Sequence, residues 1–196
     1  MARRELLIGV ASGGHVNRRP GIELPLARQA RSAGHDVVFA TGAELIPAID
    51  RRGFDPWLVG PSAAEVVGWM RAAYPDLEQR PPEQRTHLAA PMLFVKSAAK
   101  RAVELIPRAQ QWKPDIVVHE KTELAGAVAA AHTGACEVTH SLGLTSAALR
   151  DLLAPGFAWL CQEWQAPELA AATGSRRPTL YVDICPPSLR IGGEPA

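Results

Sequence analysis

The chain has 196 residues, of which 47% are hydrophobic and 21% charged, and its 21 Lys and Arg against 20 Asp and Glu leave a net charge of +1. Such a composition orders one domain, excludes disorder along the whole chain, and gives no electrostatic footprint for nucleic acid as a partner. Three scattered cysteines, Cys136, Cys161 and Cys185, lack any Cys-x-x-Cys spacing, which removes a disulfide framework and a metal site of zinc type and fits a reducing compartment.

In chain order, residues 6–11 are a continuous apolar run of strand length that stops at a glycine loop, which suits a strand buried on both faces. Residues 22–33 follow with helical rhythm and are closed by Gly34. Residues 37–40 read as the second strand, 44–52 as a short helix closed by Gly53, and 57–59 as a third, shorter strand. A helix is expected over 63–74. Residues 75–85 are polar, carry Pro75, Pro81 and Pro82, and read as a loop. Residues 88–112 read as one long helix, kinked at Pro91 and ended near Pro107. The fourth strand is 115–118, a helix runs over 123–132 to Gly134, and the fifth strand is 137–140. Two helices over 145–153 and 157–172 precede a last strand at 179–182. The tail, Cys185-Pro186-Pro187-Ser188, continues neither a helix nor a central strand. No stretch has the length and apolarity of a membrane span, and the apolar run after the basic start Met1-Ala2-Arg3-Arg4 is too short for a secretory signal, so no membrane partner and a cytoplasmic location are expected.

Strands alternating with helices predict an α/β fold: a doubly wound, mostly parallel Rossmann-like sheet with helices on both faces. Residues 1–184 form this domain, and 185–196 are a linker start or tail. In the strand order 3-2-1-4-5, ligands bind beyond the carboxyl ends of the strands, in the crevice between the first and fourth. The loop after the first strand, Ser12-Gly13-Gly14-His15-Val16-Asn17, and the residues after the fourth, His119-Glu120-Lys121-Thr122, converge there. A histidine near neutrality takes a proton from an alcohol, and a carboxylate on its other ring nitrogen fixes the tautomer. Gly13 and Gly14 allow close backbone approach to a ligand. The same residues also suit a plain tight turn with His15 as a polar loop residue.

The loop has no Gly-x-Gly-x-x-Gly fingerprint and no Walker lysine, so a nicotinamide dehydrogenase has little support, and no cofactor is expected. His140 ends the fifth strand beside the crevice and suits either a ligand contact or a hydrogen-bonded strand end. His35 reads as a turn residue, and His132 as a favourable cation in a last helical turn. Trp69, Met70, Met92 and Phe94 flank the Pro-rich loop and suit the lining of an apolar acceptor pocket.

Three collinear stretches carry a family resemblance. The first is Gly14-His15-Val16-Asn17 with Pro25-Leu26-Ala27-Arg28 and Ala33-Gly34-His35-Asp36-Val37-Val38-Phe39-Ala40-Thr41-Gly42. The second is Lys113-Pro114-Asp115-Ile116-Val117-Val118-His119-Glu120, and the third Tyr181-Val182-Asp183-Ile184-Cys185-Pro186-Pro187-Ser188-Leu189. Together they resemble the N-terminal, acceptor-binding half of antibiotic and macrolide glycosyltransferases of the GT-B fold. The resemblance implies transfer of a sugar from a nucleotide-sugar donor to a hydroxyl of a natural product, with inversion. It implies His15 as general base and Glu120, where aspartate is usual, as the acid that orients it. Asn17, Trp69, Met70, Met92, Phe94 and His140 are the expected acceptor contacts. Arg18-Arg19 stand where the family pattern has proline. The donor-gripping half, with its His-Gly-Gly-rich motif, is not matched after Ser188, so this chain alone is expected to be inactive, and its exposed interdomain face to allow a homodimer. The competing expectation is a non-catalytic helper or ligand-binding module of the same fold.

Overall fold

The computed structural model describes residues 4–10, 23–141, 147–166, 169 and 180–183. Six parallel strands are arranged in the order β3-β2-β1-β4-β5-β6. They are β1 (Glu5–Val10), β2 (Asp36–Thr41), β3 (Asp55–Leu58), β4 (Ile116–Glu120), β5 (Cys136–Ser141) and β6 (Leu180–Asp183). The order reverses between β1 and β4, as the alternating pattern requires. β1 and β4 pair with Leu6 beside Ile116 and Gly9 beside His119. That register is anchored at the amino ends: the Asp115 carboxylate accepts from the Glu5 amide and from Arg4, each at 3.0 Å.

Each face of the sheet has its own core, because alternate residues of a strand point to opposite sides. On one side Leu6, Phe39, Val118 and Val138 pack with Leu24 and Ala27 of α1 (Glu23–Ser32) and Ile49 of α2 (Ile46–Asp50). On the other, Leu7, Val38 and Val117 pack with Leu105 of α5 (Ser97–Trp112), Val128 of α6 (Leu124–Thr133) and Leu160 of α7 (Ala147–Glu163). The apolar runs of β1 and β4 are thus buried on both faces, which is why they show no alternation.

Three expectations are corrected between β3 and β6. The predicted loop at 75–85 holds a 3₁₀ turn at Leu77–Gln79, clamped by Asp76 and Arg80, and ends early because Pro82 opens α4 (Pro82–Ala90) at a position where no amide is needed. The long helix does change course at Pro91, where residues Pro91–Lys96 wind as a π-helix between α4 and α5. It does not end near Pro107: α5 runs to Trp112, since Pro107 faces solvent and the Val103 carbonyl it leaves unbonded is on the exposed side too. The same holds for Pro155, so the two helices expected over 145–172 are one helix, α7, through Glu163. The remaining helix, α3 (Ala63–Ala73), begins with a capping box in which Ser62 and Glu65 satisfy each other's amides.

Candidate active site at the carboxyl ends of the strands

Glu120 is the last residue of β4, at the strand whose neighbour marks the reversal of sheet order. It shares the α1 face with Val118, two residues earlier, and stands in register beside His140 of β5. Glu120 is buried. Its side chain turns back onto its own loop, where the Thr122 hydroxyl donates to the carboxylate at 2.7 and 2.6 Å and the Thr122 amide approaches at 3.3 Å. Burial pushes its carboxyl above the usual range, and the Thr122 hydrogen bonds pull against that. His140 is buried as well, and its Nδ1 has no hydrogen-bond partner among the described residues. Burial pulls its imidazole below the ordinary value, so it stays neutral at pH 7.

The opposite face of the same two strand ends carries a second polar group. His119 Nε2 lies 3.1 Å from Glu137 Oε1, and its Nδ1 lies 3.0 Å from the Glu120 carbonyl. Thr139 Oγ1 is 3.5 Å from Nε2. Behind this ring, Arg101 of α5 bonds Glu123 Oε1 at 2.9 Å, with both side chains almost fully buried. Glu123 Oε2 accepts from the Gly126 amide at 2.8 Å, so the same carboxylate caps α6. Burial alone would lower the His119 value. The hydrogen bond and charge of Glu137, with the charge of Glu123, outweigh it and hold the imidazole above the ordinary range.

The chain leaves β1 at Val10 and enters α1 at Glu23, and Gly13, Gly14, His15 and Asn17 lie outside the described residues. The other expected contacts separate. The Trp69 ring lies under the Lys96 ammonium, 4.7 Å from ring centroid to nitrogen, and Met70 is half-buried on the same helix. Phe94 packs inward against the core of the α5 face. Met92 lines a cavity of about 610 Å³ between α5 and α7, with Lys96, Val103, Pro155 and Trp159. That cavity lies on the helical flank of the sheet, and Glu120 and His140 belong to the other face. His35 Nδ1 accepts from the Arg4 amide at a turn, and His132 Nε2 donates to the Trp164 carbonyl.

Arg101, Glu123, Glu137 and Thr139 were not singled out by sequence reasoning. A signal was present: Glu137 and Thr139 stand in a strand that must be buried on both sides, which demands paired polar groups. Among the described residues no cluster of His, Cys, Asp and Glu could hold a metal ion, and no helix is long and apolar enough to cross a membrane.

A parallel six-stranded sheet, reversing at β1 and β4 and carrying polar strand ends at that reversal, is a doubly wound Rossmann-like domain. The chain belongs to the family of erythromycin biosynthesis protein CIII-like N-terminal domains, whose model matches residues 28–195. It is 32% identical over 168 residues to the L-demethylnoviosyl transferase of Streptomyces niveus, covering 85% of this chain and 41% of that protein. It is 34% identical over 135 residues to the erythronolide mycarosyltransferase of Saccharopolyspora erythraea, covering 57% of this chain and 31% of that protein. The solved glycosyltransferase SsfS6 of Streptomyces sp. SF2575, complexed with thymidine diphosphate, shares the fold with a TM-score of 0.74 and 22% identity, over 95% of this chain and 51% of that one. The chain therefore spans less than half the length of the curated relatives it matches.

Proposed function

We propose that this chain is the acceptor-binding half of an inverting transferase that moves a sugar from a nucleoside-diphosphate sugar to a hydroxyl of a natural product. Residues 1–184 are the acceptor-side domain, and 185–196 are the start of a linker or a tail. The observation that carries this reading is the Glu120 carboxylate, seated at the end of β4 where sheet order reverses, in a chain of this family.

In the proposed reaction His15 accepts the proton of the acceptor hydroxyl as its oxygen attacks the anomeric carbon. The nucleoside diphosphate leaves from the opposite side, so one displacement inverts the centre. Glu120 accepts from the other ring nitrogen of His15, holding the tautomer and stabilising the imidazolium. Thr122 keeps the Glu120 carboxyl competent for this by offsetting the effect of burial. Neutral, buried His140 offers its unpartnered Nδ1 to a hydroxyl of the acceptor. Asn17 is assigned to an acceptor contact, and Gly13 and Gly14 to close backbone approach to the ligand.

The test is sugar transfer. The 196-residue chain alone is expected to show none with nucleotide sugars and natural-product alcohols. In a transferase that carries this chain as its first half, His15→Ala should lower turnover about 10²–10⁴-fold. A loss under about threefold takes His15 out of the general-base role, since a positioned base contributes far more than that.

A further inference from the structure

We propose that His119 is a positioning residue: held as an imidazolium on the α6 face of the sheet, it fixes the backbone carbonyl of Glu120 and so sets where the Glu120 carboxylate stands on the other face. The inference deepens the reading of Glu120 as the site carboxylate and rests on it for its functional meaning.

The protonation state follows from the partners. The Glu120 carbonyl, 3.0 Å from Nδ1, only accepts, so Nδ1 carries a hydrogen. The Glu137 carboxylate, 3.1 Å from Nε2, also accepts when ionised, so Nε2 carries one too. A neutral ring satisfies both contacts only if Glu137 takes the proton instead. The ordinary affinities oppose that, since an imidazole holds its proton to about pH 6.5 and a glutamate carboxyl only to about 4.3. The surroundings agree with the ion pair. Glu137 faces the ring from β5 and Glu123 from the start of α6. Arg101, from α5, is engaged with Glu123, and Glu120 projects from the same strand to the opposite face. The raised His119 value has the same sense.

The ring is also mechanically trapped. A Cβ on Gly126 would stand 2.5 Å from the His119 Cβ and 2.9 Å from its Cγ, so the first turn of α6 closes directly over the side chain. The Gly126 backbone therefore packs directly on the base of the His119 side chain, and that turn of α6 is held in turn by Glu123. One peptide unit thus links a trapped cation on one face to the candidate catalytic carboxylate on the other. The carbonyl belongs to the same residue whose carboxylate must meet its partner within a hydrogen-bond length, a geometry that small displacements spoil.

The experiment is a side-chain and carbonyl NMR titration of the ¹³C,¹⁵N-labelled 196-residue chain. His119 is expected to show imidazolium ¹⁵N shifts and two N–H protons at pH 6. The Glu120 backbone carbonyl resonance should titrate with the same midpoint as the His119 ring. In Glu137→Gln that shared midpoint should fall, for ring and carbonyl together. A single N–H on His119 at pH 6, or a Glu120 carbonyl that ignores the ring's titration, overturns the proposal. The wild-type measurement decides even if Glu137→Gln fails to fold. No substrate is needed, so the result stands apart from the transferase reading, which the sugar-transfer assay tests.

Discussion

Glu120 and His140 are register partners at the carboxyl ends of β4 and β5, side by side on one face, and burial shifts both towards their uncharged forms. Two neighbouring groups that are each costly to charge are a poor way to build a stable sheet end. They suit a site that awaits a polar ligand, because the hydrogen bonds missing in the free protein are made in the complex.

His140→Phe separates the two roles of this residue. It removes a buried nitrogen with no partner among the described residues and keeps most of the ring volume, so stability should hold or rise by up to about 1–2 kcal/mol. Acceptor binding should weaken at the same time. Urea unfolding and acceptor titration on the same samples check this. A variant that loses stability and keeps its affinity would show His140 to be a structural strand end.

The pH dependence of His140 has a definite sign. Its folded value lies below the ordinary 6.5, so the folded chain binds fewer protons than the unfolded chain between those two values. Stability therefore rises with pH across that window. The rise should flatten in His140→Phe, as read from unfolding midpoints at a series of pH values. His119 contributes the opposite slope. Its folded value lies above 6.5, so its share of stability is complete below 6.5 and lost as pH rises through the folded value.

Thr122→Val tests how Glu120 is tuned. The lost hydroxyl donated to both carboxylate oxygens and held the carboxyl down against burial, so its titration should move further up. The check is the Glu120 side-chain ¹³C shift against pH. An unchanged or lower midpoint would remove Thr122 from this role.

The sheet and its reversal point were legible because they depend on patterns the sequence carries directly. Continuous apolar runs such as 6–10 and 116–118 meet glycine stops such as Gly34 and Gly134, both at positive φ in the structure. Glu120 was legible for the same reason: its place follows from chain order and topology. The polar network beneath it was not, because Arg101, Glu123 and Glu137 are 14 to 36 positions apart in sequence and meet only once α5 and α6 pack on β4 and β5. The prolines misled for a local reason. A proline ends a helix where the carbonyl it leaves unbonded is buried, and both Pro107 and Pro155 face water. The apolar acceptor contacts were grouped by nearness in sequence. The π-helical turn of Pro91–Lys96 sends Met92 to the cavity and Phe94 to the core.

The Arg101–Glu123 pair predicts a strong non-additivity. Arg101→Met leaves a buried carboxylate without its ion-pair partner and should cost about 3–5 kcal/mol. Arg101→Met with Glu123→Met removes both charges and should cost much less. What remains is mainly the lost cap on the Gly126 amide, about 1 kcal/mol. Denaturant unfolding of the two singles and the double gives the coupling. Additive losses would mean that the charges do not depend on one another.

Two helical glycines should respond oppositely to alanine. Gly68 lies in α3 with open space around a built Cβ and no left-handed backbone, so Gly68→Ala should stabilise by about 0.5–1 kcal/mol through helix propensity alone. Gly126 gains the same propensity in α6, but its Cβ would stand 2.5 Å from the His119 Cβ and 2.9 Å from Glu123 Oε2. Overpacking of that kind costs about 1–3 kcal/mol, which outweighs the propensity gain. The displaced ring adds a second loss, because moving His119 stretches its bonds to Glu137 and to the Glu120 carbonyl together. Gly126→Ala should therefore lower the unfolding midpoint and lower the His119 titration midpoint in the same sample. If the midpoint of unfolding rises as it does for Gly68→Ala, α6 has room to move away from β4, and the trapped-ring geometry is wrong.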